Sequence, residues 1–390
     1  MDRVTVLFPL IRSVICKETL SEAVVASCTP EMLESVYTLA RNHDLAHLVG
    51  QAVSKLGLPD SEALKKCKDA AMQAFMRYMR QDYEYQRTCR TLEAAGVPFM
   101  PLKGSVLRAY YPEGWMRTSC DADILVRPED LTAAITALTE QLSYQQGVRA
   151  THDVVLHCPG GDHIELHFDL VEEGRANAAS TVLSRVWETA KLRPGQVCWY
   201  EMPDELFYFY HIAHMAKHVQ TGGCGIRPFV DLWILDRLVK CDVSCRDAVL
   251  EKGGLLGFAN VARKLSRVWL EGEAHDAATR NFQQYLLCGG VYGTAENRVA
   301  LKQGSSGGRL RYVLSRIFVP YEKLKAYFPV LGKHPWLLPV MQVRRWLMLL
   351  NPDVARMAKS ELAVSRKLDE TQGNSMKMLM DQLCLKNEVW

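Results

Sequence analysis

A chain of 390 residues is long enough for two or three domains, and 48% hydrophobic against 23% charged residues is a globular balance that excludes disordered, collagen-like and coiled-coil chains. The formal net charge of +3 provides no blanket cationic footprint for nucleic acid. The charge is unevenly spread, because 15 Lys and Arg against 7 Asp and Glu in residues 301–390 make that segment +8 and leave −5 for residues 1–300.

In chain order, the apolar run at residues 4–11 is short and has no small-residue cleavage site after it, so it reads as folded protein rather than a signal peptide. No run approaches the roughly 20 apolar residues of a membrane-spanning helix. Thr29-Pro30-Glu31 predicts a helix start: a capping hydroxyl, a proline in the first turn and an acid facing the helix dipole. Leu45, Leu48, Val49, Ala52, Val53 and Leu56 then repeat as one apolar helix face, closed by Gly57 and Pro59. Asp60-Ser61 opens a long helical stretch that ends at Gly96, a residue suited to a left-handed cap. Twelve cysteines fall singly between Cys16 and Cys384, without a CxxC pair, which points to reduced thiols and a cytoplasmic chain. Cys241 and Cys245 fit one helix turn and are a poor zinc half-site alone.

At Val97 the texture changes. A short apolar run through Leu102 ends in Lys103-Gly104-Ser105, a brief helix follows, and Tyr111-Pro112-Glu113-Gly114 makes a turn. Residues 121–126 read as a strand stopped by Arg127-Pro128, a helix runs to about Leu142, and residues 154–158 and 163–170 form a hairpin around Pro159-Gly160-Gly161-Asp162. A small α/β unit therefore spans residues 97–170. Beyond it helices return, notably at 203–219 and 228–240. Residues 302–308, Lys-Gln-Gly-Ser-Ser-Gly-Gly, are expected to be an exposed, mobile linker, and the last residues an amphipathic helix with a frayed end.

Asp121-Ala122-Asp123 is the most informative tripeptide. Side chains alternate along a strand, so both carboxylates share one face, where they repel each other unless a cation sits between them. Mg²⁺ favours such oxygen ligands; a solvated strand end is the plain alternative. On the hairpin strand, His163, Glu165, His167 and Asp169 alternate with Ile164, Leu166, Phe168 and Leu170, a polar face against an apolar one. Lys103-Gly104-Ser105 sits where a strand turns into a helix, a place where glycine lets backbone amides approach a phosphate and serine adds a donor.

Taken together, Leu102-Lys103-Gly104, Tyr111-Pro112, Arg117, Asp121-x-Asp123-x-Leu125-Val126-Arg127-Pro128 and Glu165-Leu166-His167 resemble an uncharacterised bacterial nucleotidyltransferase family, within the superfamily of DNA polymerase β type. The N-terminal helical region and the stretch from His214 to Asp231 suit the same pattern. The resemblance implies an α+β fold, with a minimal nucleotidyltransferase-fold core at residues 97–200, a helical region at 1–96, a helical domain lining the cleft at 201–300 and a basic helical region at 301–390. It implies transfer of a nucleoside monophosphate from an NTP to a hydroxyl-type acceptor by two-metal catalysis, with Mg²⁺ or Mn²⁺ on Asp121, Asp123 and Glu165. Lys103, Gly104, Ser105 and Arg117 are then the expected nucleotide contacts.

Two rivals stand beside that reading: a catalytically silent nucleotide- or partner-binding module on the same fold, and a toxin-like transferase modifying RNA or protein. The near-neutral charge disfavours nucleic acid as a partner. His211, His214 and His218 fall on one helix face, where lining a pocket or interface is expected ahead of zinc; together with His167 and Asp231, His214 and His218 are pocket candidates. In the basic tail, Arg344-Arg345 stand amid Trp336, Leu337, Leu338, Trp346 and Leu347. A solvated face, a surface for an acidic partner and weak membrane attraction are the three readings, with docking of this helix on its own protein expected.

Overall fold

The computed structural model describes residues 1–171, 177–239, 241–291, 293–306, 308–368 and 370–385. Lys240, Gly307 and residues 386–390, on which parts of the expected helix end, linker and frayed terminus fall, lie outside the described residues. The chain is α+β. Among the described residues no helix is long and apolar enough to cross a membrane.

The main helices that lead in are α1 (Arg3–Ile15), α2 (Pro30–Asn42), α3 (Ala46–Val53) and α4 (Glu62–Ala94), with a short helical turn at Glu22–Ala26 after the first. Their starts follow the local chemistry. Asp2 caps the amides of Val4 and Thr5, the Thr29 hydroxyl caps Met32 N–H with Pro30 at the first position, and Ser61 caps Leu64 N–H. Gly96 turns the chain out of α4 at φ +68°, a conformation open to glycine without steric cost. Helix α3 is buried nearly all round and crosses α4 closely. A Cβ built on Gly50 would lie 2.0 Å from the Cys67 carbonyl oxygen, a backbone atom that can move only with its helix. Gly50→Ala is therefore expected to cost about 1–3 kcal/mol by forcing α3 and α4 apart. A denaturant midpoint unchanged from the native chain would sink that account.

The sheet follows. Strand β1 (Phe99–Pro101) leads into the short helix α5 (Lys103–Leu107), then β2 (Ala122–Val126), α6 (Leu131–Leu142), β3 (Gln145–Arg149), β4 (Asp153–His157) and β5 (His163–His167). The strand order is β1-β2-β5-β4-β3, with β2 and β5 parallel and every other pair antiparallel. The expected hairpin is present, and β3 is a strand the sequence reading did not anticipate, because Gln145-Gln146-Gly147 carries no apolar alternation. On one face Ala122, Ile124, Val126, Val154, Leu156, Ile164 and Leu166 join Cys89, Leu92 and Leu138 in a core against α4 and α6. The opposite face therefore carries the intervening side chains.

Two short strands, β6 (Lys191–Leu192) and β7 (Tyr200–Glu201), precede α7 (Asp204–Gln220), α8 (Arg227–Leu238) and α9 (Leu256–Glu271). These three helices and α1–α4 share one continuous apolar core, which includes Met100 and Leu125 from the second face of the sheet.

One expectation is overturned nearby. Residues 302–306 are not a mobile linker but the end of α10 (Ala295–Ser306), with Gln303 buried and its Nε2 donating to Ser365 Oγ at 2.7 Å. The glycine there serves packing: a Cβ on Gly304 would lie 2.6 Å from the Gly373 carbonyl oxygen. Then come α11 (Arg309–Ile317), α12 (Leu338–Leu347) and α13 (Pro352–Lys367). The tail region has only small cores of its own, one around Tyr312 and one around Leu324, Leu331 and Met341.

Candidate active site

Parallel pairing of β2 and β5 sets Asp123 beside Glu165 and Leu125 beside His167. Because side chains alternate, the face away from the α4–α6 core receives Asp121 and Asp123 from one strand and His163, Glu165 and His167 from its neighbour. Ligand atoms of Asp123, Glu165 and His167 lie within 4.8 Å of one another, and so do those of Asp121, His163 and Glu165. Glu165 belongs to both groups and bridges the two aspartates. A third group, His152, Asp153 and His167, continues the cluster at the β4 end.

The two aspartates sit in opposed electrostatic states. Asp121 is pushed up, by burial first and then by the charges of Asp123 and Glu165. Burial would also raise Asp123, yet the Lys103 charge and the His167 hydrogen bond outweigh it and hold this carboxyl far below the usual range. Lys103 Nζ stands 2.7 Å and His167 Nε2 2.8 Å from the same oxygen, Asp123 Oδ1. His167 Nε2 is also 3.6 Å from Glu165 Oε2. Lys103 reaches in from a left-handed backbone, φ +44°, that a residue with a side chain adopts at a cost of about 1–2 kcal/mol. Such strain recurs where a side chain must be aimed. Gly104 follows because the turn packs tightly, a Cβ there falling 3.3 Å from Arg117 Nη1 and 3.4 Å from Ser119 Cβ.

Helix α7 covers the acids. The Tyr210 hydroxyl is shifted upward by burial, and it lies in the field of Lys103, Asp123, Glu165 and Asp121. His214 and His218 follow one and two turns later, their Nε2 atoms 3.2 Å apart. Burial, then each other or nearby lysines, pushes both down, His218 to about 4. His211 turns away and its Nε2–H donates to the Pro228 carbonyl at 2.9 Å. The three histidines thus do not converge on one ion.

The remaining expected residues are placed elsewhere. Arg117 is buried, and its Nε donates to Asp231 Oδ1 and Oδ2 at 2.7 and 3.0 Å. Asp231, with no exposed surface, also accepts from the Tyr111 hydroxyl at 2.7 Å. This pair ties the turn before β2 to α8. Ser105 is two residues beyond Lys103, roughly 200° round a helix. Its Oγ is buried without a partner at the wall of a separate cavity of about 210 Å³, lined also by Tyr85, Arg193, Trp199, Glu201 and Phe207. Sequence reasoning put His163 on the polar face with Glu165 without naming it a site residue, and it missed Tyr210. Both had a readable signal: His163 is two residues before Glu165 on a strand, and Tyr210 four before His214 on a helix.

With this geometry in view, the comparison with known families is decisive. The family described as uncharacterised nucleotidyltransferase matches residues 30–271, from the start of α2 to the end of α9. The chain belongs to that family. No curated protein and no solved structure matches it. Membership assigns this chain to nucleotidyl transfer, with an NTP as the substrate class, and the matched span contains both strands of the acid cluster and the helix that covers it. Acidic groups able to hold a divalent ion, as nucleotidyltransferases commonly require, are present in the cluster.

The buried histidines are expected to make this chain acid-sensitive. Burial holds His43 and His218 down to about 4 and lowers His47, His211 and His214 as well. Below the ordinary value of 6.5 the unfolded chain therefore binds more protons than the folded one. Stability must fall as pH drops from 6.5 towards 4, by up to about 1.4 kcal/mol per pH unit for each such group. His167 works in the opposite sense: its folded value is raised by Asp123 and Glu165 against burial, so its contribution is present below 6.5 and lost as pH rises through that raised value. The lowered histidines, with His275 among them, outnumber the one that is raised. Urea midpoints are expected to decline steadily from pH ~7 to ~5, and a flat profile would contradict the neutral, buried state of these rings.

Proposed function

We propose that the chain moves a nucleoside monophosphate from an NTP to a hydroxyl-bearing acceptor, with Asp121, Asp123 and Glu165 holding Mg²⁺ or Mn²⁺. The observation that carries the reading is the parallel register that sets Glu165 beside Asp123 and within reach of Asp121. When bound, divalent ions supply charge neutralisation at the α-phosphorus and on the leaving pyrophosphate.

The protein's own groups then have separate tasks. The acceptor oxygen bonds to the α-phosphorus, the bond to pyrophosphate breaks, and the acceptor proton passes to a carboxylate, for which Glu165, a quarter exposed, is the accessible choice. Lys103, which is paired with Asp123, is positioned to turn its ammonium to a phosphate oxygen. Tyr210, His214 and His218 stand on α7 within the field of Lys103 and the acids and, neutral there, add no charge to the site.

A second reading, binding without turnover, is favoured by one observation: Lys103 and His167 both hold Asp123 Oδ1, so a metal would have to compete with them for that oxygen. Calorimetry with each of the four NTPs in Mg²⁺ or Mn²⁺ tests the site before any acceptor is known. Metal-dependent binding by the native chain, abolished in Asp121→Asn/Asp123→Asn, is the expected result. A correctly folded native chain that binds none of them would overturn the transferase reading.

A further inference from the structure

The sequence led us to expect helix α12 docked on the rest of the chain, and one side of it does: Met341 is buried with Leu324 and Leu331. Among the described residues, nothing covers its other side. Val340, Val343 and Leu347 recur at steps of three and four on one face of α12, with Trp336 in the tight turn before the helix and Leu350 in the one after it. All five are exposed, from 49% for Val343 to 73% for Trp336 and 79% for Leu350. Helix α11 has the same character. Leu310, Leu314 and Ile317 lie along one exposed face and Phe318 continues it. The two helices meet where the Phe318 ring packs 5.6 Å from Trp346, whose Nε1 donates to the Ile317 carbonyl at 2.9 Å.

We propose that this face is a docking surface for an anionic lipid bilayer. Its charge decides the partner. Arg309, Arg311, Lys333 and Arg344 are exposed beside the two stripes, within a segment of net charge +8. Two copies of the chain facing each other through it would set cation against cation, a repulsive arrangement. A receptor groove would have to accept two helices, whereas a bilayer surface takes any protruding apolar row rimmed by cations. An exposed tryptophan at one end of the α12 stripe suits the headgroup boundary, where its amphipathic ring is favoured. Anionic headgroups supply the complementary charge, each cation near the surface adding to the attraction.

The test uses the full chain and sedimented vesicles of phosphatidylcholine alone or mixed with phosphatidylglycerol. Binding to the anionic vesicles, weakened by high salt and absent on neutral ones, is expected. Trp336→Ser/Leu347→Ser should lower the partition coefficient at least roughly tenfold, through lost apolar burial. Arg311→Glu/Lys333→Glu should remove the preference for anionic lipid while leaving the melting temperature unchanged. All four side chains are on the surface, and the response of the native chain to lipid charge and salt is informative even if a variant were to unfold. Native protein that ignores anionic vesicles overturns the proposal. So does a concentration-dependent dimer in light scattering that the Trp336→Ser/Leu347→Ser variant abolishes, which would assign the face to a second copy.

Discussion

Asp123→Asn is expected to lower nucleotidyl transfer by at least roughly 10³-fold, and Lys103→Met to shift cation binding in the opposite direction. Asp123 is the most committed group of the site: one of its oxygens accepts from both Lys103 and His167, and Glu165 stands beside it in the sheet. Asparagine preserves the shape but removes the charge that would draw a divalent ion. The substitution also leaves the Lys103 ammonium, only 24% exposed, without its main counter-charge, so some loss of stability accompanies the loss of function. Lys103→Met removes the cation that competes for Asp123. In the absence of nucleotide, Mn²⁺ should therefore bind more tightly to Lys103→Met than to the native chain and more weakly to Asp123→Asn. Turnover should still fall in Lys103→Met, because the donor proposed for the phosphate is gone. Titration of Mn²⁺ by electron paramagnetic resonance separates the two signs. Equal affinity in both variants and the native chain would mean that no cation visits this carboxylate.

Breaking the pair between Arg117 and Asp231 should have the largest effect on stability. Both side chains are inside the protein, and Asp231→Ala would strand a guanidinium there together with the Tyr111 hydroxyl. Removing one partner of a buried ion pair costs about 3–5 kcal/mol, a drop in melting temperature of at least about 5 °C. The double variant Arg117→Ala/Asp231→Ala should lose less than the two single losses added together, because neither charge is then stranded. The pH dependence follows the same pair. Burial raises Asp231, but Arg117 and His211 outweigh it and hold the carboxyl below 3.8. Its contribution is present above 3.8 and disappears as pH falls through its folded value, so Asp231→Asn should flatten that acid limb. Arg117→Lys distinguishes this role from the phosphate contact the motif led us to expect. A raised KM for NTP at unchanged melting temperature would favour the phosphate contact; a lowered melting temperature at unchanged KM favours the pair.

Much of the local structure was legible in order along the chain. Thr29-Pro30 and Ser61 start helices because their hydroxyls satisfy amides a few residues away, and Gly96 ends one because it tolerates positive φ. Where the reading of the tail failed, the cause was a contact from far along the chain. The Gly-Ser run at 302–308 looks like a linker to any local rule, yet Gly304 meets Gly373 and Gln303 meets Ser365, so glycine there permits close helix packing rather than motion.

The site divides in the same way. The sequence alone determined that Asp121 and Asp123 share a strand face, and that His163, Glu165 and His167 share another, because a period of two is built into the extended backbone. Only the tertiary structure decided that those faces are the same one. Strand β5 had to pass β3 and β4 and settle parallel to β2, in a register chosen by burying Ile124 and Leu166 together. It was also tertiary packing that sent Lys103 onto Asp123, turned Ser105 toward another cavity, brought Tyr210 and His214 over the acids and enclosed Arg117 with Asp231. Backbone geometry sets the facing of neighbours within a few residues, whereas the partner of a charge is whichever group the closing of the apolar core leaves beside it.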